Sequence, residues 1–105
     1  MALAVALAQL CTARPAARAA DTVVEVRIKG NLFLPDTLAV KAGTTVRWIN
    51  DERRTSHSVL FPAERLESER LLPGESWTRR FDGPGHHPYT CGPHPEMKGR
   101  IEVTE

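Results

Sequence analysis

Cysteine is scarce in this sequence. Two stand among 105 residues, Cys11 and Cys91, a count that excludes a zinc finger. No stretch approaches the ~20 consecutive apolar residues of a membrane span. Neither sign of charge prevails, with 14 basic residues against 13 acidic ones. The chain therefore has no global basic field for nucleic acid and no acidic tail. Repeats are absent, and so is any long helical period. What is present is a single domain's length, eight Pro, seven Gly and many Val and Thr. That mixture favours a strand-rich fold with tight turns.

The first twenty residues differ from the rest. "MALAVALAQL" is a short apolar run, and "CTARPAARAA" follows with no acid before Asp21. The pair resembles a secretory leader cleaved near Ala17-Arg18-Ala19, an A-x-A site, although no Lys or Arg lies ahead of the apolar run. The alternative is a disordered or helical N-terminal arm. Ala8-Gln9-Leu10 does not form a lipobox, so Cys11 is assigned to the leader. Residues 1–20 are thus expected to be a signal peptide and residues 21–105 the mature domain, exported to the periplasm. Losing Arg14 and Arg18 from 14 basic residues leaves 12 against 13 acidic ones. Cys91 becomes the sole thiol, without an internal disulfide, and is either free or bound to something.

Along the mature chain, "TVVEVRIKG" alternates Val24, Val26 and Ile28 with Glu25, Arg27 and Lys29, as a half-buried strand does. Pro35 suits an edge or a bend, and Leu38 and Val40 continue beyond it. "TTVRWIN" turns Val46 and Trp48 inward and Arg47 outward. A polar loop, "DERRTS", leads to "HSVLF", with its charges read as solvated. "ERLESERLL" is either a helical turn or a loose strand. "PGESWTRRF" is a turn and a strand with Trp77 or Phe81 buried, and "HHPYTC" and "GRIEVTE" are two closing strands. Short strands with turn signals at this spacing specify an all-β sandwich. So small a domain buries only about 60–65% of its unfolded surface, and a metal would help to staple it.

Between the last two strands lies "YTCGPHPEMKG", which holds Cys91, His94 and Met97. A catalytic nucleophile would use the Cys and perhaps the His, but it has no use for a thioether. Alone, Cys91 reads as a buried inert thiol, Met97 as core filler and His57 as a satisfied surface histidine. Together they make two imidazoles, a thiolate and a long thioether bond, the ligand set of a blue-copper electron-transfer site. Soft sulfur suits Cu(I) and imidazole suits Cu(II), so such a set holds both oxidation states with little rearrangement. His57 supplies the second imidazole from a loop-to-strand junction that can reach the same end of a sandwich. His86 and His87 follow a Gly-Pro-Gly turn and are expected to be partly exposed, with no metal role. Pro93 lacks an N–H to donate to the Cys91 sulfur, and Pro95 stiffens the loop.

"YTCGPHPEMKGRIEV", with "GTTVRWIND", "HSVLF" and "LLPGESWTRRF" before it, resembles the cupredoxins, nearest the amicyanin type with its short Cys-x2-His-x2-Met loop. Plastocyanins and pseudoazurins are similar, with a longer spacing to the Met. The resemblance runs from about Val23 to Val103. It implies an eight-strand Greek-key sandwich, one copper ion bound by His57, Cys91, His94 and Met97, and one-electron carriage in the periplasm. Ser58 stands where many relatives have Asn, which puts in question a hydrogen bond pinning the two ligand loops. Thr90 replaces the exposed Tyr of plastocyanins, so that remote electron path is not expected. His87 takes a position often held by Tyr, and Glu96 replaces an aromatic of amicyanin. The implied partners are redox proteins docking near His94, with the chain a monomer and no enzyme. Copper storage or delivery is the competing role. It favours exposed Met-rich or His-rich sites, and Met97 alone remains after the leader.

Overall fold

The computed structural model describes residues 22–105. The expected leader, residues 1–20, lies outside them, as does Cys11. Nine strands follow one another: β1 (Val23–Lys29), β2 (Leu32–Leu34), β3 (Thr37–Lys41), β4 (Thr44–Asn50), β5 (Leu60–Phe61), β6 (Leu66–Glu67), β7 (Ser76–Phe81), β8 (Gly85–Thr90) and β9 (Lys98–Thr104). A 3-10 turn at Pro62–Glu64 is the only helical piece among the described residues. No helix among them is long and apolar enough to cross a membrane.

Two sheets pack into a sandwich, in the orders β2-β1-β4-β7 and β3-β9-β8-β5-β6. The β1–β4 and β3–β9 pairs are parallel and the rest antiparallel. The all-β sandwich read from the sequence is therefore the fold, with nine strands in place of eight. The extra strand comes from a division at Pro35. A residue without an N–H cannot continue a ladder, and here the chain leaves the edge of the first sheet at Leu34 and joins the edge of the second at Thr37. The ambiguous "ERLESERLL" is no helix; it supplies the short edge strand β6 and then an extended segment.

Alternation decides what the sheets bury. Val26 and Ile28 of β1, Val46 and Trp48 of β4, Phe81 of β7, Tyr89 of β8 and Ile101 of β9 face the shared core, and Trp77 is half-buried behind them. Trp48 stands at the centre, edge-on to Tyr89 at 5.4 Å and to Phe61 at 6.0 Å. Each such side chain contributes about 1.5–3 kcal/mol by leaving water.

The two ends of the sandwich differ. β1 runs toward the loop after β4, where the Asn31 N–H donates to Glu52 Oε2 at 2.9 Å. β9 begins immediately after Met97. At the other end the Thr45 N–H donates to the Thr22 carbonyl at 3.0 Å and the Ala42 N–H to the Thr104 carbonyl at 2.7 Å. The start of β1 and the finish of β9 therefore flank the same β3–β4 turn.

Candidate metal centre

His57 is fixed by its backbone before its ring is considered. The buried Asn50 at the end of β4 donates from Nδ2 to the Thr55 carbonyl at 2.9 Å and the Leu71 carbonyl at 2.8 Å. Its Oδ1 accepts the Glu52 N–H at 3.0 Å. His57 then exchanges two backbone bonds with Leu71, at 3.1 and 2.7 Å. The ring of His57 is fully buried, with Nε2 3.0 Å from Glu52 Oε2. The Asn31 N–H, with help from the His57 bond, holds the Glu52 carboxyl below its usual range against the opposing effect of burial. An ionised carboxylate can only accept, so Nε2 donates to it, and in the neutral imidazole the lone pair then sits on Nδ1. That Nδ1 faces Cys91 Sγ at 3.5 Å.

The second half of the site is one short loop. Cys91 follows β8 and is fully buried. Its N–H donates to the Met97 carbonyl at 3.2 Å, and the Met97 N–H donates to the His94 carbonyl at 2.9 Å. The loop is thereby closed on itself, with Met97 buried at its foot. His94 is half-buried, its Nδ1 3.5 Å from Cys91 Sγ and its ring centroid 4.9 Å from that of His57. The Ser58 N–H donates to Cys91 Sγ at 3.4 Å.

One donor atom each from His57, Cys91 and His94 lies within 4.8 Å of the others. A metal bonded to sulfur at about 2.3 Å and to nitrogen at about 2.0 Å, at angles between tetrahedral and trigonal, spaces those atoms about 3.5–3.8 Å apart. Both observed sulfur–nitrogen separations, 3.5 Å, match that spacing. The residues fit a metal, and thiolate with imidazole and a nearby thioether is a set that suits copper.

Of the sequence-derived candidates, His57, Cys91 and His94 are brought together, and Met97 is placed at the base of the same loop. His86 and His87 are not part of the cluster. His86 is largely exposed, 3.9 Å from Glu102. His87 packs against Phe81 and lies with Nδ1 2.8 Å from Glu64 Oε2, while Arg79 bonds the other oxygen of Glu64 at 2.6 Å.

Two readings are corrected. Ser58 does tie the His57 and Cys91 segments: besides its N–H on the Cys91 sulfur, its hydroxyl accepts the Gly92 N–H at 2.9 Å. A hydroxyl is shorter than an amide, but the two segments lie close enough for it to reach. The "DERR" segment is solvated at Asp51, Arg53 and Arg54, whereas Glu52 turns inward to His57. The only sequence signal for Glu52 is an acid a few residues before His57.

The family model for the cupredoxin-like domain matches residues 1–103. The chain belongs to the cupredoxins. Among curated proteins it is similar to amicyanin-alpha of Methylorubrum extorquens, 34% identical over 98% of this chain and 97% of that one. Among solved structures it resembles a methionine-to-glutamine variant of amicyanin in its Cu(I) form, with a TM-score of 0.73 at 30% identity, covering 84% of this chain and 88% of that one. A copper-containing nitrite reductase from Thermus scotoductus shares the fold as well, with a TM-score of 0.74 at 32% identity, covering 78% of this cupredoxin and 22% of the reductase chain. The cupredoxin sandwich thus carries its donor cluster at the end where β8 hands over to β9.

Proposed function

We propose that this cupredoxin is a blue-copper electron carrier, holding one copper ion with His57 Nδ1, Cys91 Sγ, His94 Nδ1 and the Met97 thioether. The observation that carries the reading is the convergence of two imidazole nitrogens on one buried cysteine sulfur, each at 3.5 Å. Bound copper would supply a one-electron Cu(II)/Cu(I) couple. The chain's residues do the rest. Glu52 presents the His57 lone pair, the bonds among Cys91, His94 and Met97 keep the loop fixed in both oxidation states, and burial of Cys91 and His57 excludes water.

His94 is the donor nearest solvent, between the exposed Pro93 and Pro95. We place partner docking there, as a brief, small-area encounter with a larger redox protein. The exposed Glu96 beside it favours a partner with a cationic rim. Four protein donors leave no open coordination position, which favours a carrier over an enzyme. The fully buried Cys91 and His57 speak against the alternative of copper storage or delivery, where ligands must exchange. Residues 1–20 act as a cleaved leader in this reading, residues 21–105 form the copper domain, and the protein works as a monomer in the periplasm.

The test is copper addition to the purified protein, followed by a visible spectrum and voltammetry. An intense sulfur-to-copper charge-transfer band and a reversible one-electron wave are expected. Cys91→Ser should remove the band while leaving the circular dichroism unchanged. Stoichiometric copper uptake without the band would overturn the reading.

A further inference from the structure

Ser58 follows His57, and Gly92 follows Cys91. The Gly92 N–H donates to Ser58 Oγ at 2.9 Å, and that hydroxyl donates onward to Glu67 Oε2 at 2.7 Å. An amide N–H can only donate, so the serine oxygen accepts there and its one proton goes to the carboxylate. Glu67 reaches this point from β6, at the outer edge of the second sheet. The absence of a side chain at Gly92 is what makes room for this contact. A Cβ there would fall on Glu67 Oε2 and only 2.6 Å from Ser58 Oγ, so carboxylate and hydroxyl fill the volume a side chain would need.

We propose that Glu67 is a positioning residue for the metal centre: its carboxylate holds the Ser58 hydroxyl on the Gly92 amide, and so keeps the Ser58 N–H against the Cys91 sulfur. The inference rests on the copper reading above. A serine side chain has three staggered rotamers, and the carboxylate selects the one that ties the segments. Two opposite electronic effects follow. The Ser58 N–H draws charge from the sulfur and favours the reduced metal, whereas the nearby carboxylate charge favours the oxidised one.

Three variants separate these effects. Glu67→Gln removes the charge but leaves an amide oxygen to accept the serine proton. Glu67→Ala and Ser58→Ala cut the tie. The measurement is hydrogen exchange at the Gly92 amide of the metal-free protein, with Ile101 in β9 as the control, beside the reduction potential of the copper form. Gly92 exchange should quicken about two- to tenfold in Ser58→Ala, the size of one net hydrogen bond, about threefold in Glu67→Ala, where the hydroxyl is free among three rotamers, and stay near wild type in Glu67→Gln. The potential of Glu67→Gln should rise. Unchanged Gly92 exchange in Glu67→Ala overturns the proposal, as does equal acceleration at Ile101, which would mean general loosening. A Glu67→Gln potential at or below wild type overturns its electronic half. A wild-type protein that takes up copper without a charge-transfer band, yet shows the expected exchange, sinks the copper reading and keeps the tie. A blue wild type whose Gly92 exchange ignores the variants sinks the tie alone.

Discussion

Asn50→Ala should weaken both the fold and the metal site, and the two losses can be separated. The side chain is fully buried and makes three hydrogen bonds, to the Thr55 and Leu71 carbonyls and from the Glu52 N–H. The Leu71 carbonyl keeps a second donor, the His57 N–H. The Thr55 carbonyl and the Glu52 N–H lose the bond that Asn50 makes to each. At about 0.5–1.5 kcal/mol net per bond, the metal-free protein should lose about 2–4 kcal/mol, a large share of the about 5–15 kcal/mol typical of a domain. Loss of the Asn50 anchor also frees Glu52, which sets the tautomer of His57. Removing such an outer support typically costs about 10–100-fold in metal affinity, and that loss appears as stability only when metal is bound. Urea unfolding followed by far-ultraviolet circular dichroism, with and without copper, reads both. The copper-loaded protein should lose about 1–3 kcal/mol more than the metal-free one. A metal-free loss below about 1 kcal/mol, or equal losses in the two forms, would refute the reasoning.

Met97→Gln replaces a soft thioether with a harder oxygen, so the reduction potential should fall while copper stays bound; an unchanged potential places Met97 outside the coordination sphere. Gly99→Ala puts a Cβ into the ring of Tyr89, its cross-strand partner, and should cost about 1–3 kcal/mol in urea unfolding. Burial pushes the Glu64 carboxyl up, but its bonds to Arg79 and His87 outweigh this and leave it below the ordinary value of 4.5. Glu64 therefore adds stability above that value, lost as pH falls through the lower folded one. Glu64→Gln should lose about 1 kcal/mol or less at neutral pH, because the pair is partly exposed, and should show a flatter acid limb in a stability–pH series.

The strands were legible where one face meets the core. Val26 and Ile28 against Glu25 and Arg27, or Val46 and Trp48 against Arg47, carry their orientation in a period of two. The donor cluster was legible because thiol, imidazole and thioether rarely crowd into one short loop. Sequence alone did not resolve "ERLESERLL", where apolar residues fit neither period and β5 decides the pairing. Nor did it find Glu52 and Glu67. An acid's partner across a fold leaves no local pattern: Glu67 reads as one more charge among "ESER", and only the pairing of β5 with β6 brings it beside Gly92.

The first strand travels toward the donor cluster and the last travels away from it, and both fasten beside the β3–β4 turn. At about 3.3 Å per residue, seven-residue strands separate that fastening point from the cluster by about 20 Å. Thr22 and Thr104 therefore both lie at the pole remote from His94. Such a domain can be tethered by either terminus, to a neighbouring domain or to an electrode, with the His94 end still turned outward.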